Sequence, residues 1–130
     1  MVQYPSVEKI TEMNALALSI IYAKKADEAK VLSRAKITEV IGDCEGFNGD
    51  IYDKAVVLLK GIVQKHPFAS GNRRTAFLAM KYFLLANKAR LGIEDNPANA
   101  RILQGVRENY YSDAELKEWV KNGKIRQFSR

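Results

Sequence analysis

Histidine and cysteine are almost absent from this chain, which has one of each in 130 residues. Structural zinc sites are built from several cysteine and histidine ligands, so this composition excludes a zinc centre. The single cysteine, Cys44, also excludes an intrachain disulfide, and its neighbours Asp43 and Glu45 oppose formation of a thiolate. We therefore expect a reducing, cytoplasmic setting and no cysteine nucleophile.

Long apolar runs are missing as well. The most apolar stretch, residues 76–86, is interrupted by Lys81 and is too short to span a bilayer. Glu8 and Lys9 interrupt the early apolar residues, so no signal peptide is expected. The sequence also lacks internal repeats and low-complexity segments. We predict a single domain over residues 1–130 that has no membrane partner.

The charge of the chain is unbalanced, with a formal net charge of +6. Such a balance indicates acidic partners, which include nucleotides, nucleic acids and acidic protein surfaces. It is also compatible with an ordinary basic protein, since the basic residues are scattered from Lys9 to Arg130. No basic run is interleaved with aromatic residues, so a nucleic-acid partner is not favoured.

Apolar periodicity predicts an all-α fold with at most one short β-hairpin. A first helix is expected over residues 6–23 with Ser6 as its N-cap, and a second, surface helix over Lys24–Ala35. Residues 36–50 leave two interpretations open. Ile37, Val40 and Ile41 could finish a helix, but the segment also contains residues with strand propensity, and its glycines break the helical pattern. It is then either strand-forming or a glycine-rich connector.

The second half of the chain has clearer helix signals. A helix that starts at Asp50 leads to His66, and the next helix, Asn72–Arg90, is apolar nearly all round and is therefore expected to lie at the centre of the bundle. Further boundaries are predicted at Asn96, which would cap a helix that begins with Pro97, at a Ser112–Glu115 capping box, and at Gly123, which would end the last helix.

Residues 66–75, with the sequence HPFASGNRRT, combine the parts of an anion site with a base. Gly71 permits close approach of the backbone, and the following helix directs free N–H groups at an anion. Asn72 or its neighbour can cap that helix. Arg73 and Arg74 lie in the first helical turn, where the helix dipole disfavours cations, so an anionic ligand would explain them. His66 is the only side chain suited to accept a proton near neutral pH.

This stretch resembles the signature of the Fic/Doc family, H-x-F-x-(D/E)-(G/A)-N-(K/G)-R. His66, Phe68, Gly71, Asn72 and Arg74 match it. The preceding helix and the continuation after the motif also look like the Doc branch, so the resemblance covers residues 50–92 well. Phe68 is expected to turn inward as an anchor.

Three positions bear on how far the resemblance extends. Arg73 offers a positive charge where the Doc branch has lysine. Ser70 occupies the position of the family's metal-binding acid, and Phe77 lies where the adenylylating branch has a second arginine. Because magnesium prefers anionic oxygen ligands, a serine hydroxyl is a poor substitute for a carboxylate. No metal-binding residue is therefore assigned, and magnesium binding is expected to be weakened.

The resemblance implies a compact helical bundle and a nucleotide-dependent transferase, which moves a phosphoryl or AMP group from ATP or another nucleotide to a Ser, Thr or Tyr hydroxyl of a target protein. His66 would be the general base. Asn72, Arg74 and the amides of Gly71 and Asn72 would hold the phosphates, with help from Arg73. In this family a β-hairpin flap precedes the motif helix, which makes residues 36–50 the candidate flap.

An alternative is a degenerate member of the family that binds a nucleotide or a protein without turnover. If the chain is the toxin of a toxin–antitoxin pair, an antitoxin chain would be a second partner. The family's inhibitory element, (S/T)-x-x-x-E-(G/N), is not matched, because Ile41 precedes Glu45 and Gln104 precedes Glu108 by four residues. Any inhibition would then come from another chain.

Overall fold

The computed structural model describes residues 1–21 and 30–129. This part of the chain is mainly helical and contains no β-sheet, which confirms the all-α prediction. The helices are α1 (Val7–Ile21), α2 (Arg34–Gly46), α3 (Ile51–Lys65), α4 (Asn72–Ala86), α5 (Asn99–Arg107) and α6 (Asp113–Asn122). None of the described helices has the length and apolar character needed to cross a membrane.

Two consecutive helices, α3 and α4, form the centre of the bundle. Helix α3 packs against α2, α4, α5 and α6, whereas α4 packs against α1, α3 and α5. Leu58, Leu59 and Ile62 of α3 are fully buried, as is Phe83 of α4. One side of α4 faces solvent, because Leu85 is 76% exposed. The loop between these two helices is therefore fixed at both ends by the core.

The predicted helix over Lys24–Ala35 is wrong for residues 30–33, and its last two residues, Arg34 and Ala35, belong to the start of α2. Residues 30–33 are not helical, and Ser33, in an extended conformation, is the N-cap of α2, with its side chain accepting a hydrogen bond from the Lys36 N–H. A helix cannot continue through a residue whose side chain caps the next one. Residues 24–29 of that prediction lie outside the described part of the chain.

The β-hairpin interpretation of residues 36–50 is also wrong, since α2 occupies most of this segment, and so is the connector interpretation up to Gly46. Ile37, Val40 and Cys44 lie on one face of α2 and are fully buried. Burial of that face outweighs the strand propensity of its β-branched residues. On α3, a Cβ at Gly61 would lie 2.7 Å from a methyl carbon of Val40, so this glycine allows the two helices to approach closely.

Most predicted helix ends are confirmed. The side chain of Ser6 accepts a hydrogen bond from the Lys9 N–H. Asp50 caps α3, Ser112 and Glu115 form a capping box, and Gly123 ends α6 with φ 75°. Residues 22 and 23 of the predicted first helix lie outside the described ranges.

Two boundaries differ from the prediction. Helix α4 ends at Ala86, before the predicted Arg90, because the Asn87 side chain donates to the carbonyl of Phe83 and exchanges hydrogen bonds with the backbone of Gln3. Asn96 accepts from the N–H of Ala98, as a cap does, but it caps a turn, and regular α-helix begins only at Asn99.

Candidate functional site

The loop between α3 and α4 begins with a sharp change of direction at His66. This residue is the C-cap of α3 and adopts the left-handed conformation, with φ 55° and ψ 57°. Its N–H donates to the carbonyl of Ile62, 3.2 Å away. The following Pro67 is buried and Phe68 is fully buried, which confirms the inward anchor. The left-handed turn thus lets His66 remain exposed while the next two residues enter the core.

The side chain of Asn72 holds the loop closed. Its Oδ1 accepts from the N–H of Phe68 at 3.0 Å, and its Nδ2 donates to the carbonyl of Phe68 at 2.9 Å. Both functional atoms of this buried amide are therefore used within the loop. A contact between Asn72 and an anion would come from its backbone N–H or from the second N–H of Nδ2, which the bond to Phe68 does not use.

Helix α4 has no side-chain cap among the residues that the structure describes. Gly71 occupies the N-cap position with φ 77°, and no described side chain accepts a hydrogen bond from the first turn of the helix. A Cβ at this position would lie 3.1 Å from Leu18, and the positive φ is itself unfavourable for other residues. The first N–H groups of α4 are therefore available to an anion, as the sequence predicts.

A buried asparagine of α1 supports the loop from below. Asn14 donates to the carbonyl of Ser70 at 2.9 Å and to the hydroxyl of Thr75 at 3.1 Å. Sequence reasoning did not single out this residue. The sequence did contain a signal for this role, since Asn14 is a polar residue on the apolar face of α1, the face that carries Ile10 and Ala17. A buried amide on such a face needs hydrogen-bond partners.

Residues 30–33 pair with the other side of the loop. Val31 and Phe68 form an isolated antiparallel bridge. Pro67 O accepts from the N–H of Leu32 at 2.8 Å, and Ala69 N–H donates to Lys30 O at 2.9 Å. Sequence reasoning missed this pairing, since it assigned residues 30–33 to a helix. The loop backbone is thus held by α1 on one side and by an extended segment on the other.

A cleft of about 690 Å³ opens between this loop and the segment that leads into and along α5. All five residues predicted to act in the site line it, together with Ser70: His66, Gly71, Asn72, Arg73 and Arg74. The opposite wall contains three charged residues that the sequence did not associate with the site, namely Asp95, Arg101 and Arg107. The predicted residues therefore face one shared space.

The cleft carries a concentration of positive charge. Arg73, Arg74 and Arg107 are exposed and form no ion pair with the described residues. Arg101 differs, because its Nε donates to the carbonyl of Phe128 and its guanidinium lies 5.3 Å from the centre of that ring. Three guanidiniums on two walls are thus available to an anionic ligand.

The surroundings of His66 favour its neutral form. Partial loss of water around the side chain lowers its pKa from the usual 6.5, even though the imidazole is exposed at the cleft. The positive charges of Arg107, Lys36 and Arg73 lower the pKa further, in that order. A neutral imidazole can accept a proton, so the site holds His66 in the form that a general base requires.

The donor set of the cleft does not fit a metal site formed by the protein alone. Ser70 provides a neutral hydroxyl, and Asp95 is the one carboxylate among the cleft residues of the described chain. No group of three or more His, Cys, Asp or Glu residues in the described ranges could hold a metal ion. Magnesium would therefore need most of its ligands from phosphate and water.

Comparison with known proteins gives one family. The model of the Fic/DOC family matches residues 4–84, which include α1 to α3, the whole loop from His66 to Gly71, and α4 as far as Leu84. No curated protein matches the chain closely enough to count as a relative. The family match ends before α5, the helix that forms the far wall of the cleft.

Proposed function

Since the chain belongs to the Fic/DOC family, we propose that it transfers a phosphoryl or AMP group from a nucleoside triphosphate such as ATP to a Ser, Thr or Tyr hydroxyl of a target protein. The observation that carries this proposal is the position of His66. A base kept neutral by its surroundings lies in the same cleft as unpaired guanidiniums and an uncapped helix N-terminus. Nucleotidyl and phosphoryl transfer need this combination of base and positive charge.

The N-terminus of α4 would hold the phosphates. Backbone N–H groups of Gly71 and Asn72 point out of an uncapped helix, and the guanidiniums of Arg73 and Arg74 line the same cleft. Amides at a helix N-terminus bind anions, and arginine forms paired hydrogen bonds with phosphate oxygens. These groups neutralise charge on the transferred group and fix its orientation.

His66 would accept the proton of the attacking hydroxyl. The hydroxyl oxygen forms a bond to phosphorus, the bond from that phosphorus to the bridging oxygen breaks, and the nucleotide fragment or pyrophosphate leaves with the electron pair. The proton moves to the imidazole nitrogen. Because the guanidiniums supply positive charge, the residues of the chain account for these steps without a metal ligand at position 70.

The second function class is a nucleotide- or protein-binding module without turnover. It is favoured by the neutral hydroxyl of Ser70, which stands where the motif resemblance places the metal-binding acid. In this case the cleft would bind a nucleotide and His66 would have no chemical role. An antitoxin-like partner chain is compatible with either class.

A lysate incubated with the pure protein and ATP separates these classes. Mass spectrometry should detect a gain of phosphate or of AMP on a protein hydroxyl, and His66→Ala should abolish that gain while leaving ATP affinity within about two-fold, since the base acts on the hydroxyl. Arg74→Ala should weaken ATP binding. If wild type binds ATP and modifies nothing, the binding module is the better account.

The substitution Ser70→Asp tests whether the lack of a carboxylate at position 70 limits turnover. A carboxylate beside the phosphates should strengthen magnesium-dependent ATP binding and raise transfer, because it restores a hard anionic ligand. Ser70→Asn, which adds similar volume without charge, is the matched control. If an active wild type gains neither activity nor magnesium dependence from Ser70→Asp, position 70 is not the missing metal ligand.

A further inference from the structure

Arg107 is the last residue of α5 and lies on the cleft wall opposite the N-terminus of α4. Its side chain is exposed and forms no hydrogen bond or ion pair within the described chain. Arg101, six residues earlier, also lines the cleft, but its Nε donates to the carbonyl of Phe128. Of the two arginines on this wall, Arg107 is the one that has no hydrogen bond or ion pair within the described chain.

A basic residue at this position has a purely structural explanation, because cations at a helix C-terminus interact favourably with the helix dipole. It does not explain why the residue faces other cations. Arg107 lines the same cleft as Arg73 and Arg74, and its charge opposes protonation of His66 more strongly than that of Arg73 does. Mutual repulsion of unpaired guanidiniums is relieved when an anion lies between them.

We propose that Arg107 is a phosphate-binding residue, which contacts the transferred phosphate from the α5 wall while Arg73 and Arg74 hold the phosphate chain from the α4 wall. The inference rests on the proposed function, because it assigns a further residue to the same ligand. Arg107 would donate to oxygens of the phosphate under attack, since His66, which would serve the attacking hydroxyl, lines the same cleft.

The family match does not reach the helix that carries Arg107. The matched region ends at residue 84, whereas α5 begins at Asn99. A ligand held between α4 and α5 would therefore be bound partly by a segment outside the matched region. This arrangement also supplies positive charge near the reacting phosphate without a carboxylate-bound metal ion.

The experiment measures binding of ATP and of inorganic tripolyphosphate by calorimetry to four proteins: wild type, Arg107→Gln, Arg107→Lys and Arg90→Gln. Arg90 is exposed and lies outside the cleft, so Arg90→Gln makes the same change of net charge as a control. We expect Arg107→Gln to weaken both ligands about ten-fold, since a charge-assisted hydrogen bond is lost. Arg107→Lys should lose less, and Arg90→Gln should stay within about two-fold.

A second measurement, the pKa of His66, needs no ligand. His66 is the only histidine, so its NMR titration can be followed without assignment, and its pKa should rise in Arg107→Gln and remain as in wild type in Arg107→Lys and Arg90→Gln. Circular dichroism checks that each variant is folded.

Two results would overturn the assignment. In the first, Arg107→Gln binds both ligands as tightly as wild type, whereas Arg74→Ala, measured alongside, has lost binding. The proposed function then survives, and Arg107 has no part in it. The other is a loss with ATP but none with tripolyphosphate, which would place Arg107 against the nucleoside. If wild type binds neither ligand, the proposed function itself fails.

Discussion

His66 combines two unusual properties, a left-handed backbone and a pKa held below its usual value. A non-glycine residue in this backbone region costs on the order of 1 kcal/mol and persists where the surroundings impose it. Here the surroundings are the end of α3 and the buried Phe68, which together force the chain to turn at this position. The left-handed turn therefore places the His66 side chain at the cleft.

The pH dependence of the protein should follow from this residue. Because the base must be neutral, transfer should be lost as pH falls through the pKa of His66, which lies below 6.5. Stability changes in the same direction. Because the pKa of His66 is lower in the folded protein than in the unfolded chain, its contribution to the free energy of unfolding is fully present above the unfolded pKa. That contribution is lost as the pH falls through the folded pKa.

An NMR titration of the single histidine checks this prediction, and the same chain in urea is its reference. The folded protein should titrate at lower pH than the unfolded chain. Lys36→Gln removes one of the three cations that act on His66 and should move the folded value upward. A folded pKa equal to or above the value in urea would contradict the prediction, and the base would then be partly protonated at neutral pH.

At the scale of the element, α2 depends on a buried lysine of α3. The Lys54 side chain, 8% exposed, donates to the carbonyls of Cys44, Glu45 and Phe47 at 3.1, 3.0 and 2.9 Å. The carbonyls at a helix C-terminus have no partner within the helix, and the dipole there favours a cation. Lys54 therefore substitutes for a glycine cap at the end of α2.

Replacement of this lysine should be costly. Lys54→Met keeps most of the aliphatic volume but leaves three carbonyls without their donor, so we expect a loss of about 2–4 kcal/mol in the free energy of unfolding. Urea denaturation measures it. Lys60→Met is the matched control, because Lys60 pairs with the exposed Asp113 and such surface pairs contribute about 0–1 kcal/mol. Equal losses in the two variants would mean that Lys54 is not a helix cap.

At the scale of the whole molecule, the sequence predicted correctly those helix ends that depend on interactions between neighbouring residues. Asp50, Ser112 and Gly123 act on residues a few positions away, and each ends or begins a helix as predicted. The motif residues came from a contiguous stretch, so their arrival in one cleft could also be predicted. The role of the Asn72 side chain could not, because a helix cap and a clamp on Phe68 use the same amide.

The failures have a common cause, which is contact between distant parts of the chain. Residues 30–33 are extended because they pair with residues 67–69, and 36–46 are helical because Ile37 and Val40 pack against the core. Helix α5 was predicted as a helix, but no pattern within it indicates that Arg107 would face His66. Such proximity is a property of the bundle and not of the segment.

The net charge of +6 gives a prediction for the molecule as a whole. ATP at a hundred-fold excess over its Kd should stabilise the folded state by about 2.7 kcal/mol, which for a chain of this size raises Tm on the order of 10 °C. In the proposed site, guanidiniums and helix amides supply the binding, so tripolyphosphate should raise Tm too, and the shift at fixed ligand concentration should shrink as sodium chloride increases. Adenosine, which lacks phosphate, should leave Tm unchanged.

Thermal unfolding followed by circular dichroism provides the measurement, and Arg73→Gln/Arg74→Gln should lose most of the shift with both phosphate ligands. A shift with adenosine as large as that with ATP, independent of salt, would show that the cleft recognises the nucleoside and that its positive charge serves another purpose.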